Sequence, residues 1–134
     1  MRSRRARRCR ACSAPPPFNG RRAVVTGASR GIGAGIAQRL AAEGADVALV
    51  ARTLDKNDQL PGSLRETQVA CEKYGTRIGT VVADLADERA RARMIPEASD
   101  VLGGTIDVLV NNAAAVVAVP ITEVSPQQQR VAFE

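Results

Sequence analysis

Histidine is absent from this 134-residue chain, and cysteine occurs only at Cys9, Cys12 and Cys71. Cys9 and Cys12 make a single C-x-x-C, whereas tetrahedral zinc needs four nitrogen or sulfur ligands, so no metal centre is expected. Three cysteines without a secretory signal also argue against a disulfide-built extracellular domain, and Cys71 reads as a small helix side chain. No apolar run approaches the ~18 residues of a membrane-spanning helix. These absences together predict a reduced, soluble, cytoplasmic protein with no membrane partner. Lysine occurs twice against 17 arginines, and tyrosine once, at Tyr74.

What is present suits one globular domain: 45% of residues are hydrophobic and 25% charged. The net charge of +5 is unevenly spread, because residues 1–20 hold six arginines (Arg2, Arg4, Arg5, Arg7, Arg8, Arg10) and no acid. From Arg21 onward 13 bases face 14 acids, a nearly neutral body. The arginine-rich head, closed by Ala14-Pro15-Pro16-Pro17, has no apolar periodicity and is predicted to be a disordered tail through residue 20, with the domain at 21–134. Such a tail could touch nucleic acid or an anionic surface, or serve as a targeting peptide, or be a solvated extension. Nucleic acid is not carried forward as an expected partner.

Beyond the tail, β-branched runs alternate with helical periods, which predicts an α/β domain around a parallel sheet. The strands are Ala23–Thr26, Val47–Val50, Arg77–Ala83 and Ile106–Val110. Between the first two, Ile32, Ile36 and Leu40 share a helix face that ends at Gly44, and Gly33, Gly35 and Ala37 allow close approach to the sheet. A loop over 53–62 leads to a helix from Ser63, its N-cap with Glu66 three positions on, to about Tyr74, with Gly75 closing it. A further helix, Asp87–Leu102, is expected to bend or break at Pro96. Ala113–Val119 reads as a strand extension or buried loop, and Ser125-Pro126 starts a last helix. Right-handed crossovers give the strand order 3-2-1-4.

The most informative segment is Thr26-Gly27-Ala28-Ser29-Arg30-Gly31-Ile32-Gly33, set between an apolar strand and an amphipathic helix. Gly27 permits a tight turn, Gly31 lets backbone approach a pyrophosphate, and Gly33 allows helix and sheet to pack closely. Backbone N–H groups at the helix start can then hold a diphosphate without lysine. With Asp84-Leu85 after the third strand and Asn111-Asn112-Ala113-Ala114 after the fourth, the chain resembles the short-chain dehydrogenase/reductase family over residues 19–134. That span is similar to the amino-terminal half of a family domain.

The resemblance implies a Rossmann-type doubly wound sheet, truncated after about four strands, that binds a nicotinamide dinucleotide. It implies that Gly27, Ser29, Arg30, Gly31, Ile32 and Gly33 line the cofactor. It also implies that Asp84 bonds the adenine amino group with Leu85 contributing backbone. Asn111 would tie strands together and, with Ala113, line the path to the nicotinamide ribose. Ala114 stands where the family commonly has glycine. The Leu60-Pro61-Gly62 stretch resembles a branch that includes hydroxysteroid-dehydrogenase-like and citronellol-type oxidoreductases, or is simply a surface loop.

Cofactor choice follows from charge. An acid at the end of the second strand would bond an NAD ribose and repel a 2′-phosphate, but Ala51-Arg52-Thr53 stand there. Arg52 and Arg30 together favour NADP over NAD, with Asp55 opposing them if its loop folds back. The family's catalytic Ser and Tyr-x-x-x-Lys set is absent, since Tyr74 has Ile78 four positions on and Ser29, Ser99 and Ser125 lack such a partner. No catalytic residue is therefore assigned. The expectation is the NADP(H)-binding portion of an alcohol/carbonyl oxidoreductase, inactive as this chain, with a non-catalytic dinucleotide-binding or sensing module as the alternative. A homo-oligomer is expected only of a full-length form.

Overall fold

The computed structural model describes residues 15–55, 61–114 and 119–133. Among these, strands and helices alternate: β1 (Arg22–Thr26), α1 (Gly31–Ala42), β2 (Asp46–Ala51), α2 (Leu64–Glu72), β3 (Ile78–Val82), α3 (Glu88–Leu102) and β4 (Val108–Val110). A 3-10 turn (Ile121–Glu123) and α4 (Pro126–Phe133) follow. The strands form one parallel sheet in the order β3-β2-β1-β4, as the crossover rule requires.

Every residue of β2 from Val47 to Val50 is fully buried, because helices cover both faces of the sheet there. One face carries Ala23, Val25, Val47 and Leu49 against Ala37, Leu40 and Ala41 of α1 and Leu64 and Cys71 of α2. The other carries Val24, Ala48, Val50 and Val81 against Ala90, Met94, Ala98 and Leu102 of α3. The α3 residues recur every four positions, the spacing that puts an apolar stripe on one side of a helix. Among the described residues β4 pairs with β1 alone, over the three positions Ala23–Val108, Val24–Leu109 and Val25–Val110, and Leu109 remains 47% exposed.

Helix ends follow the sequence signals closely. The Ser63 side chain accepts the Glu66 backbone N–H at 3.1 Å, Asp87 caps α3 through the Arg89 N–H at 2.9 Å, and Gly103 closes α3 at φ 72°. Ser125 and Gln128 exchange side-chain-to-backbone bonds of 3.2 and 2.9 Å at the head of α4, with Pro126 in its first turn.

Several expectations are corrected. Pro96 does not break α3, which is continuous through it. The proline lies on the exposed side, so the carbonyl that loses its partner, that of Ala92, lies on the solvent side of the helix. Ile32 does not share the buried face of α1: it is 77% exposed, while the small residues Gly33, Ala37 and Ala41 meet the sheet. Gly35 is not a contact glycine, since a Cβ there would meet nothing within 4 Å. The α2 helix ends at Glu72 and Gly75 follows at φ 77°. Ala113, Ala114 and Val119 are exposed rather than buried, and residues 115–118 of that stretch lie outside the described residues. The packed body also begins before Arg21. The Phe18 N–H donates to the Glu43 carbonyl at 3.0 Å and its ring packs on the core, because the end of α1 offers a free carbonyl and an apolar surface. Cys9, Cys12 and the six tail arginines lie outside the described residues.

No helix among the described residues is long and apolar enough to cross a membrane, and no group of three or more Cys, Asp or Glu side chains there could hold a metal ion.

Candidate functional site

The glycine turn, the residues after β3 and the residues after β4 all lie at the carboxyl ends of the strands, the side of an open α/β sheet where ligands bind. The turn leaves β1 at Gly27, whose φ of 66° excludes most side chains. A Cβ on Gly27 would lie 2.9 Å from Asn112 Nδ2 and 3.0 Å from Ala113 Cα. The next residue donates its N–H to the Val50 carbonyl at 3.1 Å, stitching the turn to β2. Gly31 also has positive φ, 54°, but its side is open, with nothing within 4 Å of an added Cβ. At Gly33 a Cβ would collide with the Gly27 carbonyl oxygen and sit 2.5 Å from Asn112 Nδ2. The three glycines thus differ in their surroundings: Gly27 makes the turn, Gly31 faces open space and Gly33 packs against the turn.

Opposite the turn, Thr26 and Asn112 form a knot between the ends of β1 and β4. Thr26 is 1% exposed, and its hydroxyl donates to the Val110 carbonyl at 3.2 Å while accepting the N–H groups of Asn112 and Ala113, each at 3.0 Å. The Asn112 amide returns the contact, donating to the carbonyls of Thr26 at 3.0 Å and Gly27 at 3.4 Å. The strand-tying role expected of Asn111 therefore falls to Asn112. Asn111 is exposed, since successive side chains on an extended chain point to opposite sides. A hydroxyl closing an otherwise apolar buried strand needs bonding partners, and that was the signal for Thr26 in the sequence.

Asp84 follows β3 and is exposed. One carboxylate oxygen accepts the Ala86 N–H at 3.0 Å, closing a local turn. Leu85 packs partly on the core, and its carbonyl accepts Arg91 Nη1 at 2.6 Å.

The arginines differ in setting. Arg52 is exposed one residue past the end of β2. Arg30 precedes α1 in extended conformation, makes no side-chain cap bond, and reaches Ser29 Oγ only at 3.5 Å. Its Nη1 is buried and has no hydrogen-bond partner among the described residues. Asp55, the acid that could have opposed them, is held by Arg65 at 2.9 Å. An open depression of about 630 Å³ lined by Asp55, Ser63, Arg65, Glu66 and Val69 lies at the head of α2. It is open to solvent, its lining surface is mostly apolar, and it lacks the converging buried polar groups of a binding pocket.

Tyr74 and Cys71 lie away from this end. Tyr74 follows α2 on the way to the start of β3, at the amino-terminal end of that strand and so opposite the site, and is 40% exposed. Cys71 is buried in the core, and burial pushes its thiol pKa up, away from nucleophilic character.

The short chain dehydrogenase family profile matches residues 21–134. Hydroxysteroid dehydrogenase-like protein 2 of Xenopus tropicalis is 39% identical over 92 residues, 69% of this chain and 22% of that protein. A short chain dehydrogenase from Burkholderia cenocepacia, solved in complex with NADP, is 35% identical with a TM-score of 0.72, covering 87% of this chain and 44% of that one. Carveol dehydrogenase from Mycobacterium avium, solved with NAD, is 27% identical with a TM-score of 0.70, covering 86% and 43%. The chain thus spans less than half the length of these relatives. A glycine turn between β1 and α1, a 3-2-1-4 parallel sheet and a profile match that takes in every strand and helix agree, and the chain belongs to the short-chain dehydrogenase family.

Proposed function

We propose that this chain forms the NADP(H)-binding part of an oxidoreductase that interconverts an alcohol and a carbonyl. The observation that carries the cofactor reading is Arg30, whose Nη1 is buried in the glycine turn without a partner among the described residues. Arg52, with Ala51 and Thr53, stands where an NAD-selective site would place an acid. A buried guanidinium N–H without a partner is rare in a finished structure and fits a site that awaits an anion, here the 2′-phosphate of NADP.

When bound, the nicotinamide supplies or takes the hydride. The backbone N–H groups around Gly31 and Ile32, left open by the absence of side chain at Gly31, hold the pyrophosphate at the positive end of α1. Ser29 and Arg30 face the adenosine phosphate, with Arg52 on the β2 side. Asp84 offers its second carboxylate oxygen to the adenine amino group, and Leu85 borders it. Asn111 and Ala113 lie along the way to the nicotinamide ribose. No tyrosine-lysine pair is available to relay a proton, because Tyr74 is at the amino ends of the strands, away from the site, and is followed by Ile78 at the fourth position. In this reading the chain binds cofactor without turning it over.

Calorimetric titration of the purified chain with NADPH and NADH, with circular dichroism to verify folding, tests this. Saturable binding, tighter for NADPH and weakened for NADPH by Arg52→Asp, is expected. A folded chain that binds neither dinucleotide would overturn it.

A further inference from the structure

The segment leading into α2 is fixed at both of its described ends. Leu54 accepts the Arg65 N–H at 3.3 Å, Asp55 pairs with the Arg65 guanidinium, and Ser63 is 4% exposed beneath its own cap bond. Between them Gly62, at φ 95°, abuts the glycine turn. A Cβ there would lie 2.8 Å from the Ser29 carbonyl oxygen and 3.0 Å from Arg30 Cβ. Few hydrogen bonds among the described residues hold the Arg30 side chain: it caps nothing, and its Nε contact with Ser29 is at the limit of a hydrogen bond.

We propose that Gly62 is a positioning residue for cofactor selection. Its missing side chain seats the head of α2 against Ser29 and Arg30, holding the Arg30 guanidinium where its buried N–H meets a ribose phosphate. This inference rests on the NADP reading of the same site. A side chain at position 62 would push the α2 head off the turn and release the Arg30 stem, while the pyrophosphate cradle around Gly31 stays as it is. Selection then weakens without loss of dinucleotide binding. Any residue other than glycine is also strained at this φ, although asparagine tolerates it better than most. Gly62→Asn therefore introduces the Cβ with less of the strain.

The test is titration of the 134-residue chain and its variants with NADPH and NADH, with 2′,5′-ADP as a probe of the phosphate subsite. In Gly62→Ala and Gly62→Asn, NADPH and 2′,5′-ADP affinity should fall about tenfold while NADH affinity holds within about twofold, the size of one charge-assisted hydrogen bond. Adding either substitution to Arg30→Ala should cost no further NADPH preference, since both act through one group. A preference that Arg30→Ala removes but both Gly62 variants keep overturns the role of Gly62 and leaves the cofactor reading intact. A wild-type chain with no preference for NADPH overturns both. If Gly62→Ala fails to fold, Gly62→Asn carries the same decision.

Discussion

Thr26 and Asn112 hold each other from both sides: the Asn112 backbone N–H donates to the Thr26 hydroxyl at 3.0 Å, and the Asn112 side chain donates to the Thr26 carbonyl at 3.0 Å. The pair spans 86 residues of chain and joins the two strands that frame the site. Thr26→Val keeps the shape but leaves two N–H groups without their acceptor, and should destabilise the fold by about 1–3 kcal/mol. Combined with Asn112→Ala the loss should be less than the sum, because the two share one network. Urea unfolding of the four proteins measures both quantities.

Gly31 and Gly33 sit two residues apart and should respond oppositely. Gly33→Ala drives a Cβ toward the Gly27 carbonyl and the Asn112 amide, so it should lower stability by about 1–3 kcal/mol. Gly31→Ala meets open space and should cost only about 1 kcal/mol, from its left-handed φ. Binding should reverse the order of interest: Gly31→Ala loses dinucleotide while still folded. Thermal melts beside calorimetric titration would separate the two, and a well-folded Gly33→Ala would contradict the packing role.

Sequence alone conveyed what local chemistry decides. The Ser63–Glu66 cap, the Ser125-Pro126 start of the last helix and the strand order all follow from rules that act within a few residues or from the handedness of βαβ units. It was less informative where the third dimension chooses between neighbours. Nothing in Asn111-Asn112 says which amide faces the turn; the pleat of the chain leaving β4 does. Ile32 looked like a core residue by its spacing, yet at its start α1 meets the sheet through the small residues Gly33 and Ala37, and Ile32 is left at the open end. Pro96 read as a bend or a break, but α3 runs through it because its place on the solvent side is set by Met94 and Ala98, the core residues to either side.

Pro96→Ala should stabilise the chain, by up to about 3 kcal/mol, since alanine restores an N–H to a helix that already runs through the position. A shift of the urea midpoint to higher concentration with unchanged slope is the expected result. No change would mean that the helix has adapted fully to the proline.

Acid should loosen the base of the sheet at Asp107. Its carboxylate accepts the Arg22 N–H at 2.9 Å and Arg21 Nη1 at 3.0 Å, and these bonds, the backbone one first, hold its pKa below the ordinary value. A carboxylate lowered in the folded state stabilises fully above its unfolded pKa of about 3.9, and that contribution disappears as pH falls through the folded value. Stability measured by urea unfolding should therefore fall across that acidic window. Asp107→Asn should flatten that part of the profile, and an unchanged slope would count against the assignment.

The three-residue pairing of β4 with one neighbour has a kinetic consequence. β1 and β2 are flanked on both sides and buried on both faces, so their amide protons should exchange with solvent only when the whole domain opens. The amides of β4 can exchange by a smaller, local opening in which Val108–Val110 peel from Ala23–Val25 and carry Asn112 with them. The pairing of β4 with β1 closes a loop of some 86 residues, so the β4 side of the site is expected to form late in folding. It is also where a bound dinucleotide would slow exchange most.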